Sequence, residues 1–149
     1  MMSRESVFEM LSILLVDDEF LELKVLELKL ASSPGYKMVL DYASNIGDAV
    51  EKTKQYDYDL ILIDNRLLPN NDFRETVPQL RQVGFTGPIG VVSSDISGPY
   101  FQQFEEYGVD FRIGKDEIDY QSIRHIIGEY VNSRLPDGWD EGGVPEGGN

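Results

Sequence analysis

The amino-acid sequence predicts an α/β protein built on a five-stranded parallel sheet with helices on both faces. Two observations carry this expectation. Five short apolar segments alternate with longer segments of helical character, giving a strand-helix unit five times over. One apolar segment, Leu60-Ile61-Leu62-Ile63, is a continuous aliphatic run of the kind found in strands buried on both faces. Strands joined through helices make right-handed crossovers, which keeps the strands parallel.

The elements follow in order. Residues 12–16 (SILLV) form the first strand and lead at once into Asp17, Asp18 and Glu19. Residues 20–31 are rich in strong helix formers. Ser33-Pro34-Gly35 is a turn signal before a second strand at 36–43. A helix at 46–56 has Asn45 as its candidate cap. The aliphatic third strand ends on Asp64, and the chain then enters a loop containing Pro69. Asp72 is a candidate cap for a helix at 72–82, in which Pro78 is expected to impose a kink or an early end. Residues 89–93 (IGVVS) form the fourth strand and precede Ser94 and Asp95. Tyr100, Phe101, Phe104 and Tyr107 are at helical spacing within 98–108. A short fifth strand, 111–113, leads to Gly114 and Lys115. The apolar stripe Ile118, Ile123, Ile126, Ile127, Tyr130 and Val131 marks a last helix over 117–134. Residues 134–149, acidic and rich in Gly and Pro with the single Trp139, read as a flexible tail after a domain at 10–133.

Composition bounds the function. A chain of 149 residues with 41% hydrophobic and 27% charged residues suits one globular domain with a sizeable core. The absence of cysteine excludes disulfides, thiol catalysis and thiolate metal sites. No apolar run approaches the roughly 20 residues that span a bilayer, and the first residues lack a signal-peptide core. A cytoplasmic protein is therefore expected. The net charge of −14 repels phosphate backbones and anionic lipids, so neither nucleic acid nor membrane is an expected partner.

In a parallel sheet every strand ends at the same edge, where ligands bind. That edge would gather Asp17, Asp18 and Glu19 from the first strand, Asp64 from the third, Ser93, Ser94 and Asp95 from the fourth, and Lys115 from the fifth. Carboxylates held a few ångströms apart repel, so they either take up protons or bind a cation. Oxygen donors with water positions left over suit Mg2+, which commonly partners phosphate oxygens. An aspartate is also a competent nucleophile toward phosphorus. The chemistry implied is phosphoryl transfer onto an aspartate.

The segments ILLVDDE (13–19), DLILID (59–64), PIGVVSSD (88–95) and GVDFRIGKDE (108–117) resemble response-regulator receiver domains over about residues 10 to 133. The resemblance implies a flavodoxin-like (βα)5 fold with strand order 2-1-3-4-5. It implies that Asp64 accepts a phosphoryl group from a histidine kinase or a histidine phosphotransfer protein. It assigns Mg2+ binding to Asp17, Asp18, Asp64 and the backbone carbonyl of Arg66, and contact with the phosphoryl group to Ser93 and Lys115. Phosphorylation in this family repacks the fourth helix, the fifth strand and the fifth helix, reaching a downstream protein target or a second copy of the chain. No turnover enzyme is implied, and a stand-alone receiver is expected.

Three departures from the family pattern set further expectations. Asp116 follows Lys115 where the family has a proline in a cis bond, and a cis bond before a non-proline residue costs about 2.5–4 kcal/mol, so a trans and differently shaped loop is expected. Pro69 stands five residues after Asp64 instead of four, which points to one extra loop residue. The switch aromatic three residues before the lysine is replaced by Arg112, with Phe111 one place earlier, so Arg112 is the candidate switch through exchange of salt-bridge partners. Arg66 and Asp95 are expected to pair across the mouth of the site.

Two alternatives compete. A degenerate receiver would act as a phosphorylation-independent interaction module, an idea kept alive by the missing proline and aromatic. An aspartate-nucleophile phosphatase of the haloacid dehalogenase type needs a second Asp two residues after the nucleophile, where this chain has Arg66. His125 has no second His or Cys to make a metal site and reads as a helix-surface residue. Leu21, Leu23, Val25, Leu26, Leu28 and Leu30 cover more of the first helix than one core-facing stripe requires, leaving an apolar face for a partner helix.

Overall fold

The computed structural model describes residues 10–31, 37–95 and 97–131. The Ser33-Pro34-Gly35 turn, the start of the second strand at Tyr36, the end of the last helix and the tail with Trp139 lie outside the described residues. Five parallel strands form one sheet: β1 (Met10–Val16), β2 (Lys37–Ala43), β3 (Leu60–Asp64), β4 (Ile89–Ser93) and β5 (Phe111–Gly114). Their order is β2-β1-β3-β4-β5, so the chain reverses direction across the sheet between β1 and β3. Register is continuous from Ile13 opposite Leu60 to Val16 opposite Ile63, and Ser93 is opposite Gly114. All five residues of β3 and of β4 are buried, as their uninterrupted apolar runs require.

Alternate strand residues serve two cores. Ile13, Leu15, Leu60, Leu62 and Val92 pack on α1 (Leu21–Leu30) and α4 (Tyr120–Ile126). Leu14, Val16, Ile61, Ile63 and Val91 pack on α2 (Ile46–Gln55), α3 (Phe73–Gln82) and a 3-10 helix at Pro99–Tyr107. A fully buried Leu or Ile stabilises by about 1.5–3 kcal/mol over leaving it exposed, so these two layers hold the strand ends in place.

Helix starts follow local chemistry. Asn45 Oδ1 accepts the Asp48 N–H at 2.8 Å, and Asp72 Oδ1 accepts the Arg74 N–H at 2.9 Å. Pro78 does not end α3, which runs on to Gln82. The last helix starts later than its apolar stripe suggests, because Asp119 and Ser122 cap it reciprocally: Asp119 Oδ1 accepts the Ser122 N–H and Ser122 Oγ accepts the Asp119 N–H. Beyond Ile126 it widens into a π-helical turn, Ile127–Val131.

The fourth helical segment departs from expectation. It is a 3-10 helix with a non-helical break at Gln103 (φ −118°, ψ 28°). Phe101 is buried against Phe73, with ring centroids 5.3 Å apart, and Gly108 ends the segment at φ 92°. Below it, Arg81 ties the opposite edge of the sheet together. Its guanidinium donates to the carbonyls of Phe85, Gly87 and Gly108 and to Asp110 Oδ2, all within 2.7–2.9 Å. Among the described residues no helix is long and apolar enough to cross a membrane.

Candidate functional site at the carboxyl edge of the sheet

The carboxyl ends of β1, β3, β4 and β5 deliver the polar groups. Asp17 follows β1 directly and is 3% exposed, while Asp18 projects into solvent. Asp64 is the last residue of β3, Ser93 the last of β4, and Lys115 comes one residue after β5. Carboxylate oxygens of Asp17, Asp18 and Asp64 lie within 4.8 Å of one another. Lys115 Nζ stands 3.8 Å from Asp64 Oδ1.

The local folding of each loop explains these positions. Asp17 Oδ1 accepts the Glu19 N–H at 2.9 Å, which turns the chain sharply into α1. The Tyr42 hydroxyl, from the end of β2, donates to the Asp17 carbonyl, and Phe20 packs edge-on against that ring. After β3 the buried Asn65 accepts the Phe73 N–H through Oδ1, tying the acceptor loop to the start of α3. The Leu68–Pro69 peptide is cis in this loop, whereas Lys115–Asp116 is trans, as expected from Asp116. Residues Lys115–Glu117 form one 3-10 turn, held by Glu117 Oε1 accepting the Gly114 N–H at 2.8 Å.

Electrostatics reflect the crowding. Burial, then repulsion from Asp17 and Asp18, push the Asp64 carboxyl up to about 7, against the attraction of Lys115 and a hydrogen bond from the Arg66 backbone N–H. Burial also raises Asp17, partly offset by the Glu19 N–H and Lys115. Burial acts to lower Lys115, but Asp64, Asp17, Glu22 and Glu19 outweigh it and raise the ammonium above its ordinary value. Three hard oxygen donors under mutual repulsion are a donor set that a small divalent cation satisfies, so these residues fit Mg2+.

Residues 13–127 match the response regulator receiver domain family. The chain belongs to that family. This receiver is 35% identical over 104 residues to the autoinducer 2 sensor kinase/phosphatase LuxQ of Vibrio parahaemolyticus, covering 69% of the chain and 12% of that much longer protein. Its fold is shared with the response regulator domain of Thermotoga maritima CheB (TM-score 0.68, 22% identity, 83% of this chain and 98% of that one). It is also shared with the receiver domain of a Pseudomonas aeruginosa sensor histidine kinase whose structure has a magnesium ion in the active-site cleft (TM-score 0.66, 22% identity, 82% and 98% covered).

The receiver brings Asp17, Asp18, Asp64 and Lys115 together as the sequence leads one to expect. Ser93 stands at the same edge, but its Oγ donates to the Asp95 carbonyl at 3.1 Å and accepts the Asp95 N–H at 3.3 Å. The expected Arg66–Asp95 pair is not formed. Asp95 Oδ1 instead accepts from the N–H and hydroxyl of Ser97, two residues on, a local turn that satisfies it without a distant partner. Arg112 makes no salt bridge either: Nη1 donates to the Phe101 carbonyl at 3.0 Å and the guanidinium lies 5.5 Å from the Phe104 ring centre. Phe111 is stacked on Tyr130, so it is a core ring and not a movable one. His125 is an exposed helix residue 3.7 Å from Glu129.

Three contributors went unrecognised in the sequence: Tyr42, Asn65 and Glu22. The last places Oε2 at 3.8 Å from Lys115 Nζ. Its signal was its place one turn after Asp18, where a side chain starting α1 faces back toward the loop.

Proposed function

We propose that this receiver accepts a phosphoryl group on Asp64 from the phosphohistidine of a histidine kinase or histidine phosphotransfer protein, and so switches a protein-binding surface. The observation that carries this reading is Lys115 Nζ 3.8 Å from an Asp64 carboxylate that shares a 4.8 Å cluster with Asp17 and Asp18. Asp17, Asp18, Asp64 and the Arg66 carbonyl would hold Mg2+, which when bound supplies charge neutralisation to the incoming phosphoryl oxygens.

A carboxylate oxygen of Asp64 attacks phosphorus. The P–N bond to the donor imidazole breaks as the P–O bond forms, the electron pair stays on the imidazole nitrogen, and that nitrogen takes a proton from water. Lys115 places a fixed positive charge where phosphoryl charge arrives. Ser93 exchanges its local bond to Asp95 for one to a phosphoryl oxygen, drawing the β4 loop inward. Arg112, tied to Phe101 and Phe104, conveys that shift to the 3-10 segment in place of an aromatic switch. Leu21, Val25 and Leu28 support docking of a helical donor: they fall at i, i+4 and i+7 on α1 and are 74%, 43% and 78% exposed.

The test is intact mass after incubation with Mg2+ and a small phosphodonor, alongside Asp64→Asn. One added phosphoryl group that requires both Mg2+ and Asp64 is expected. Absence of any adduct in a protein that still binds Mg2+ would leave a phosphorylation-independent interaction module.

A further inference from the structure

Lys115 is not committed to Asp64. Its Nζ is 3.8 Å from Asp64 Oδ1 and 3.8 Å from Glu22 Oε2, and both gaps exceed the roughly 3.2 Å limit of an N–H···O hydrogen bond. The ammonium is therefore suspended between two carboxylates without a hydrogen bond to either. The Lys115–Glu117 turn fixes only the backbone of this lysine. Around the side chain is a small cavity of about 30 Å³, floored by Leu15, Leu62, Val92 and Ile118 and flanked by Glu22. That volume leaves the head group room to move by a fraction of its own width. The two carboxylates differ in setting: Asp64 is nearly buried, whereas Glu22 on α1 has a side chain one-third exposed.

We propose that Glu22 is a positioning residue, a counter-ion that holds Lys115 back from Asp64 until an anion occupies the site. This inference rests on the reading of Asp64 as phosphoryl acceptor. With Glu22 drawing Lys115 aside, the three aspartates are left open to a cation. Once phosphoryl charge arrives, it outcompetes the single charge of Glu22 and Lys115 crosses the gap. Glu22 thus favours the cation-bound ground state and restrains the anion-bound state. Asp17 and Glu19 also act on Lys115 without an ion pair to it within 4.0 Å, and Lys29, a second cation, lines the same cavity.

The test uses the full chain and two ligands with opposite charge. Mg2+ affinity is measured alone, and beryllofluoride, an anionic stand-in for the phosphoryl group, is titrated at saturating Mg2+. Glu22→Gln should weaken Mg2+ and tighten beryllofluoride, each by about threefold to fivefold, the worth of one partly exposed ion pair. Glu22→Asp, which keeps the charge, should restore most of both effects. Glu27→Gln, the same charge change on the exposed part of α1 beside Lys24, should leave both affinities alone. The beryllofluoride gain should vanish when Glu22→Gln is made in a Lys115→Met background. Shifts below about 1.5-fold, shifts of the same sign, or a gain that survives Lys115→Met would overturn the proposal. If wild-type protein binds Mg2+ but no beryllofluoride, the phosphoryl-acceptor reading fails, and the proposal, which rests on that reading, fails with it.

Discussion

Asp64 should be worth more to the folded protein as an amide than as a carboxylate, provided no cation is present. Its carboxyl is pushed from an ordinary 3.8 to about 7 by burial and by Asp17 and Asp18. At ~1.36 kcal/mol per tenfold, that displacement sets a ceiling of ~4 kcal/mol on the cost of the charged form at pH 8. Solvent reaches the mouth of the site through the exposed Asp18, and screening there reduces the expected figure to about 1–2 kcal/mol.

Asp64→Asn removes this cost. In metal-free buffer at pH 8 the variant should melt on the order of 5 °C above wild type. The sign follows from proton binding. Between 3.8 and about 7 the folded carboxyl keeps a proton that the unfolded chain has released, so the group's contribution is full below 3.8 and is lost as pH rises through about 7. The gap between variant and wild type should therefore roughly halve at pH 5.5, midway through that window. Saturating Mg2+ should reverse the order at pH 8, because a cation taken up by the proposed Asp17, Asp18 and Asp64 site would stabilise the wild type by mass action and the variant lacks one of those carboxylates. Thermal unfolding in a chelator and in excess Mg2+ at both pH values gives all four numbers. A variant no more stable than wild type at pH 8 without metal, or a gap independent of pH, would refute the electrostatic account of this cluster.

Three other outcomes follow from the same geometry. Lys115→Met should cut phosphorylation by a small phosphodonor at least about tenfold while Mg2+ binds as tightly or more tightly, since an ammonium beside the acidic cluster is removed; intact-mass time courses and calorimetric titration check both. Replacing Leu21, Val25 and Leu28 with Ser should slow transfer from a phosphorylated histidine donor while sparing the small phosphodonor, and should cost about 0.5 kcal/mol of stability or less per substitution because all three side chains are exposed. Arg81→Ala should destabilise by about 2–4 kcal/mol in denaturant titration, since carbonyls of Phe85, Gly87 and Gly108 lose a charged donor together.

The sheet was legible because β3 and β4 are buried on both faces and so carry unbroken apolar runs. The four central site residues, Asp17, Asp18, Asp64 and Lys115, were legible because each stands within two residues of a strand end, where a parallel sheet leaves no choice of edge. Periodicity could not separate a 3-10 from an α-helix at Pro99–Tyr107: aromatic residues at 101, 104 and 107 are three apart, which fits a period of 3.0 as well as 3.6. Glu22 was hidden for a different reason. Its role depends on how α1 is rotated against the sheet, and the leucines on nearly every side of that helix leave its rotation undetermined until Leu23, Leu26 and Leu30 are seen to face inward. Arg66 and Asp95 looked like partners by position, but a local turn with Ser97 satisfied Asp95 first.

The Arg81 clamp gives the receiver two unlike ends. One edge is fastened by a single guanidinium across two loops, while the other is loaded with like charges that a bound cation would relieve. Relief of that load should travel only as far as the loops carrying it. Amide exchange should thus slow on Mg2+ addition at residues 17–20 and 64–68 and stay unchanged at 87–90 and 108–111. The fastened edge would then serve as the fixed frame of reference against which any movement of the Lys115 and Ser93 loops is measured.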